Sequence, residues 1–292
     1  MPKNTSSLTA LFLLFAWSTA QAGIYSGPTD TANSIDGAIA KDDSRIVQWA
    51  NLIDASRTMF GPRGSTAINQ TGGFNSLGDL DATEISNDDS PGFLTVMFPT
   101  GISDAAGHDF AIFENGFTLG SAGGVAGLFA EFAYVDVSTN GTDFARFSSV
   151  SLNAGALPGG FGTAFSGFDV TNVHNLAGKH AAGFGTPFDL AELASDPLVA
   201  AGLLDLNNIQ YVRMFDIPGN GSYTDSLGNP IYDNWLTSGS GGFDFRLGEG
   251  LGVGVLNVAA VPEPSSLAAL AILAGTTVYI RKRRQVTSRG NR

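Results

Sequence analysis

The chain has 292 residues, no cysteine and a formal net charge of −12. The missing cysteine excludes disulfides, thiolate-bound zinc and thiol catalysis, and the acidity argues against nucleic acid as a partner. Thirty-eight glycines, where average usage would give about 20, stand among 21 phenylalanines, a mixture that predicts turn-rich β structure rather than disorder.

In chain order, Lys3, an apolar stretch over residues 8–17 and the small-x-small step Ala20-Gln21-Ala22 read as a signal peptide, residues 1–22, with the mature chain starting at Gly23. The body, residues 23–261, carries eight basic against 26 acidic side chains, a net charge of −18. Such a surface repels anions and suits divalent cations and neutral glycans. Residues 23–33 are polar and expected to be loose. Asp42-Asp43-Ser44 then reads as the cap of a helix with Ile46, Trp49, Ala50 and Ile53 at helical spacing. Residues 77–81 and 87–92 are expected turns. Strands are predicted at 93–98, 109–113 and 131–138, the last turning at Asn140-Gly141 into 144–147 as a hairpin. Residues 151–186, with His174 and His180, read as an ordered surface excursion. Short helical turns are expected at 187–193 and 196–199, the second with Asp196 as cap and Pro197 at the first helical position. Residues 209–216 form the clearest alternating strand. A turn-rich loop then runs over 217–242, and strands follow at 243–246 and 252–258. Short strands joined by Gly and Asn turns predict a mainly β fold, an antiparallel β-sandwich or jelly roll with a few short helices.

The C-terminal tail, residues 262–292, places three features in a fixed order: Pro262-Glu263-Pro264, an uncharged apolar stretch over 265–280, and Arg281-Lys282-Arg283-Arg284. As a helix the apolar stretch reaches about 24 Å, short of a hydrocarbon core of about 30 Å. The basic end holds it on the cytoplasmic side. This arrangement resembles the PEP-CTERM sorting signal of Gram-negative bacteria, with Pro262, Glu263 and Pro264 as the signature. The resemblance implies a transmembrane helix that anchors the precursor in the inner membrane. An exosortase-like membrane enzyme would then cut near the Pro-Glu-Pro and pass the body to the cell surface, the envelope or the exterior. The body, at 109–117, 132–147, 229–233 and 242–257, also resembles bacterial surface proteins that carry the same tail. It departs from their pattern at residues 246–249.

Two carboxylate groups stand out for chemistry. Asp216, Asn220, Asp225, Asn229, Asp233 and Asn234 lie between one strong strand and Trp235. Calcium takes six to eight oxygens from such side chains and from carbonyls of Gly-rich loops. The expected metal ligands are Asp216, Asp225, Asp233 and Asp244; Asx turns that close a solvated loop are the alternative use of the same residues. The second group is Asp109, Glu114, Asn115 and Glu131 at strand ends, read as strand-end hydrogen bonding, a minor cation site, or the acid and base of a glycoside hydrolase. His108, His174 and His180 form no metal-ligand spacing and read as surface or turn residues. Tyr223, Tyr232 and Trp235 read as a small core that pins the acidic loop, or as a platform for sugar rings. The function these features imply is non-enzymatic: an exported protein of the cell envelope or exopolysaccharide matrix with a structural or binding role. A glycan-binding module of that matrix is the first alternative, and an extracellular hydrolase the second.

Overall fold

The computed structural model describes residues 23–65, 73–122, 125–153, 167–236, 241–248 and 250–259. The expected signal peptide, the Pro262-Glu263-Pro264 signature, the apolar helix and the basic end lie outside these residues. Among the described residues no helix is long and apolar enough to cross a membrane.

The strands in chain order are β1 (Ile39–Ala40), β2 (Gln48–Trp49), β3 (Asn75–Ser76), β4 (Phe93–Ile102), β5 (Phe110–Phe113), β6 (Phe117–Ala122), β7 (Val125–Phe129), β8 (Ala133–Ser138), β9 (Ala145–Arg146), β10 (Val150–Ser151), β11 (Val173–His174), β12 (Phe184–Phe188), β13 (Ile209–Asp216), β14 (Asn220–Thr224), β15 (Pro230–Tyr232), β16 (Asp244–Phe245) and β17 (Val253–Val255). Two short helices, α1 (Ala82–Ser86) and α2 (Pro197–Ala200), accompany them. The fold is mainly β with antiparallel sheets, as the turn-rich composition predicts.

One sheet has five strands in the order β1-β12-β5-β17-β2, and another has four in the order β4-β13-β8-β9. The four-stranded sheet is built on alternation. Leu94, Val96 and Phe98 of β4, Val212 and Met214 of β13 and Val135 and Val137 of β8 face a core shared with Phe110 and Ile112 of β5, Phe188 of β12 and Val253 and Val255 of β17. Register agrees with this, since Met214 stands opposite both Leu94 and Val135, and Val212 opposite Val96 and Val137. On β5 the alternate residues Ala111 and Phe113 pack on the other side with Ile39, Leu256, Ile46 and Trp49. That strand is therefore covered on both faces, which is why residues 110–113 read as an unbroken apolar run. A second apolar cluster, with Phe132, Tyr134, Phe168, Val170, Ile217 and Ile231, lies under the connections at the end of β13.

Several local expectations are corrected. Residues 42–53 are not helical: Val47 N–H and Ala50 N–H donate to the carbonyls of Val255 and Val253, and Ile53 bridges to Val96. The β-branched Ile and Val residues there complete a sheet edge, and pairing with β17 outweighs a helical spacing carried by few residues. Between the expected turns at 77–81 and 87–92, residues 82–86 form a short helix that was not among the expected elements, started by a capping box in which Asp81 accepts from the N–H of Glu84 and the Glu84 side chain accepts from the N–H of Asp81. Of the helical turn expected at 187–193, residues 187–188 instead close β12, while a 3-10 turn forms at Leu190–Leu193. The expected loop at 217–242 contains the β14–β15 hairpin. Residues 23–33 are tied down: Ser26 is buried, and its N–H and hydroxyl bond to Asp36 Oδ1 and the Asp36 carbonyl, both at 2.8 Å. The Asn140-Gly141 hairpin forms as expected, pairing β8 with β9 antiparallel, with Gly141 at φ +72°.

Candidate metal centre

Five chain segments end at one place. Glu114 follows β5, Glu131 precedes β8, Asp216 closes β13, Asp233 follows β15 and Asp244 opens β16. Antiparallel pairing does part of this, because Asp216 stands opposite Ala133, two residues beyond Glu131. Side chain to backbone bonds do the rest. Asp233 Oδ2 accepts from Phe132 N–H at 2.8 Å, and Asn234 Oδ1 from Ala130 N–H at 2.8 Å, so residues 233–234 clasp both neighbours of Glu131. Asp216 Oδ1 accepts from Phe243 N–H at 2.7 Å, which docks the strand that carries Asp244.

Glu114, Glu131 and Asp244 each offer a carboxylate oxygen, and these oxygens lie within 4.8 Å of one another. Glu114 Oε2 accepts from Gly116 N–H at 2.5 Å, and Asp244 Oδ2 from Asn115 Nδ2 at 2.7 Å. The remaining oxygens Glu114 Oε1 and Asp216 Oδ2 are buried and accept no hydrogen bond. Exposure is 1% for Glu114, 0% for Asp216 and 2% for Asp233. Glycines allow this crowding. A Cβ on Gly219 would overlap the Asp233 carboxylate, and one on Gly242 would stand 2.7 Å from Asp216 Oδ1 with the backbone at φ +74°.

The electrostatics are one-sided. Burial, then the charge of Asp244, pushes Glu114 up to about 8. Burial pushes Asp216 up to about 7 despite the Phe243 hydrogen bond, with Asp244 adding to it. Asp233 is raised well above the carboxylate range by burial, then by Asp216 and Glu114. Asp244 is also raised, by burial. Among the described residues Glu114, Asp216, Asp233 and Asp244 make no ion pair with Lys or Arg. Buried carboxylates normally have a cationic partner or a metal.

Of the four expected ligands, then, Asp216, Asp233 and Asp244 come together and Asp225 does not. Asp225 Oδ1 accepts from the N–H groups of Leu227 and Asn229, and Oδ2 from Ser151 N–H and Asn229 Nδ2. With both oxygens twice bonded it closes the β14–β15 turn and pins β10, which is the Asx use of such a residue. Glu114 and Glu131, grouped by sequence into a separate candidate, belong to the same centre. Asp109 does not: it precedes β5 while Glu114 follows it, and its carboxylate accepts from Ala105 N–H, Leu190 N–H and Asn257 Nδ2. The signal that sequence did contain is a carboxylate followed directly by Asn at a strand end, at Glu114-Asn115 and Asp233-Asn234. The pairing that merges the groups is long-range.

A second buried polar group lies on Asp36. Lys179 Nζ and His174 Nδ1 both contact Asp36 Oδ2, the latter at 3.2 Å, and Tyr25 stacks on His174 with ring centroids 4.8 Å apart. Burial alone would raise Asp36, but the His174 hydrogen bond, the Lys179 charge and hydrogen bond and Ser26 N–H outweigh it and hold the carboxyl well below its usual range. His180 is buried rather than on the surface: its Nε2 lies 2.8 Å from Ser26 Oγ and its Nδ1 3.2 Å from Thr186 Oγ1. Ser26 Oγ already donates to the Asp36 carbonyl, so it accepts from His180 and is not poised as a nucleophile. The loop aromatics are anchored too. Tyr223 and Tyr232 pack on the second apolar cluster, and Trp235 Nε1 donates to the Leu80 carbonyl at 2.8 Å.

Comparison with protein-family models, with curated proteins and with solved structures finds no match to this chain.

Proposed function

We propose that the protein is an exported β-sandwich component of the cell envelope or extracellular matrix with a structural or binding role, carried there as a membrane-anchored precursor through its PEP-CTERM-like tail. One observation favours this reading over turnover: the two glutamates of the densest group of acids are buried, and only Asp244 beside them is half-buried. Glu114 and Glu131 are close enough for the carboxylate pair of a retaining glycosidase, about 5–5.5 Å apart. Yet they are 1% and 6% exposed, and a polysaccharide needs an open groove to reach them. The anchoring of Tyr223, Tyr232 and Trp235 likewise favours a small core over a sugar platform.

Fractionation of cells that produce the full chain tests the proposal. The mature protein is expected in the envelope or the medium, beginning at Gly23 and ending near the Pro-Glu-Pro. A double change, Pro262→Ala with Pro264→Ala, is expected to leave precursor in the inner membrane. A surface fraction whose protein still ends at Arg292 overturns the sorting step. Turnover of a glycan that disappears in Glu131→Gln overturns the non-enzymatic role.

A further inference from the structure

The geometry points to a calcium ion held inside the body by Glu114, Glu131 and Asp244, with Asp216 and Asp233 completing the negative field around it. This goes beyond the envelope role and rests on the carboxylate centre alone, so it stands or falls separately from the sorting tail.

Three independent features carry it. The oxygens of Glu114, Glu131 and Asp244 lie within 4.8 Å of one another, a spacing that one ion with bonds of about 2.3–2.6 Å spans. Glu114 Oε1 and Asp216 Oδ2 are buried acceptors with no donor, although the other oxygen of each side chain is bonded to a backbone N–H. Native proteins rarely leave such atoms unpaired without an ion or a water. Finally, anchoring bonds hold four of the five carboxylates: Gly116, Phe132 and Phe243 N–H and Asn115 Nδ2 each donate to one oxygen of Glu114, Asp233, Asp216 and Asp244 respectively. Glu114 and Asp216 are thereby oriented by one oxygen while the second remains for a ligand, the arrangement that outer-shell hydrogen bonds give to metal ligands.

The donor set selects the ion. Every named side chain offers oxygen, and no histidine contacts these carboxylates in the described hydrogen bonds, so zinc and copper are disfavoured. Magnesium usually retains several waters and takes one or two carboxylates, which does not suit a centre of several carboxylates with its two glutamates buried. Calcium accepts many oxygens in flexible geometry. The chain lacks cysteine, and an internal calcium joins the three segments that carry Glu114, Glu131 and Asp244, as a disulfide would join two in another exported protein.

The test uses the full chain in detergent, stripped with a chelator and then titrated with calcium or magnesium chloride at matched ionic strength. Calorimetry is expected to show one calcium per chain, and terbium to bind there with emission sensitised by neighbouring aromatics such as Trp235. The melting temperature is expected to rise by several degrees with calcium and by clearly less with magnesium. Glu131→Gln with Asp244→Asn is expected to weaken calcium at least 100-fold while leaving the stripped protein as stable as the stripped wild type or more so, since two like charges are removed. Asp225→Asn should keep the calcium response. Absence of stoichiometric binding, equal shifts with both ions, or an unchanged response in the double variant overturns the site. If the double variant does not fold, Asp216→Asn alone decides: an unaltered calcium affinity there counts against the centre.

Discussion

Lys179 and Asp36 are 0% and 2% exposed, and each is the compensation for the other's burial. Lys179→Met strips Asp36 of its cation while leaving the carboxylate buried, so a loss of about 3–5 kcal/mol is expected, measured by chemical denaturation. Adding Asp36→Asn should recover part of it, because an uncharged amide replaces the stranded charge and still accepts from Ser26 N–H. His180 gives the same cluster a pH dependence. Burial, then the Lys179 charge, depresses His180 far below its ordinary value of 6.5, so the unfolded chain binds a proton that the folded chain refuses. The corresponding stability is fully present above about pH 6.5 and is lost as pH falls below it, by about 1.4 kcal/mol per pH unit. The difference in unfolding free energy between wild type and His180→Gln should therefore change across pH 7 to 5, and a difference independent of pH would contradict a neutral buried His180. Asp36 adds a second loss below about 3.8, its ordinary value, where the unfolded carboxyl protonates and the folded one does not.

At the scale of the element, β13 does more than its length suggests. Its inward residues Val212 and Met214 build the core, its last residue Asp216 reaches the carboxylate centre, and its outward residue Arg213 organises the opposite face of the sheet. The Arg213 guanidinium lies 3.6 Å over the ring of Phe144 and 5.0 Å over that of Phe93, with Nε donating to Thr95 Oγ1 at 3.2 Å. Next to it Arg146 covers Tyr134 at 4.3 Å and binds Asp136 through Nε at 2.6 Å. A planar cation covers ring faces that would otherwise meet water, and an ammonium does not stack in that way. Arg213→Lys, which keeps the charge, is expected to cost about 1–2 kcal/mol in denaturant unfolding. A change near zero would assign the face to simple solvation.

For the whole molecule the body's net charge of −18 matters most. Like charges across a compact body oppose folding, and salt shortens the range of that opposition from about 30 Å at 0.01 M to about 8 Å at 0.15 M. Raising sodium chloride over that interval should raise the melting temperature modestly, and potassium should do so equally. This general screening acts on the surface, whereas the calcium proposed above is assigned to a buried carboxylate centre, so the two effects are expected to add. A calcium increment that vanishes in 0.15 M salt would reduce calcium to another screening ion.

Local chemistry legible in the chain includes the alternation of residues 209–216, the Asn140-Gly141 turn, the Asp196-Pro197 helix start and the antiparallel, turn-rich class. Each depends on neighbours within a few residues, and periodicity or φ preference suffices to read it. The expected helix at 42–53 fails because β17, some two hundred residues later, supplies the edge that Val47 and Ala50 pair with. The burial of Ser26 and His180 and the partial burial of His174 depend likewise on Asp36 and Lys179 meeting across the fold. The acidic loop is the clearest division. Sequence singles out Asp216, Asp225, Asp233 and Asp244 as oxygen donors, but only the tertiary structure turns Asp225 into a turn closure and brings Glu114 and Glu131 in its place. The reason is physical: whether a carboxylate is oriented by a backbone N–H or left with a free oxygen depends on which strand ends meet, and strand pairing in an antiparallel sheet is set by long-range register rather than by residues near in sequence.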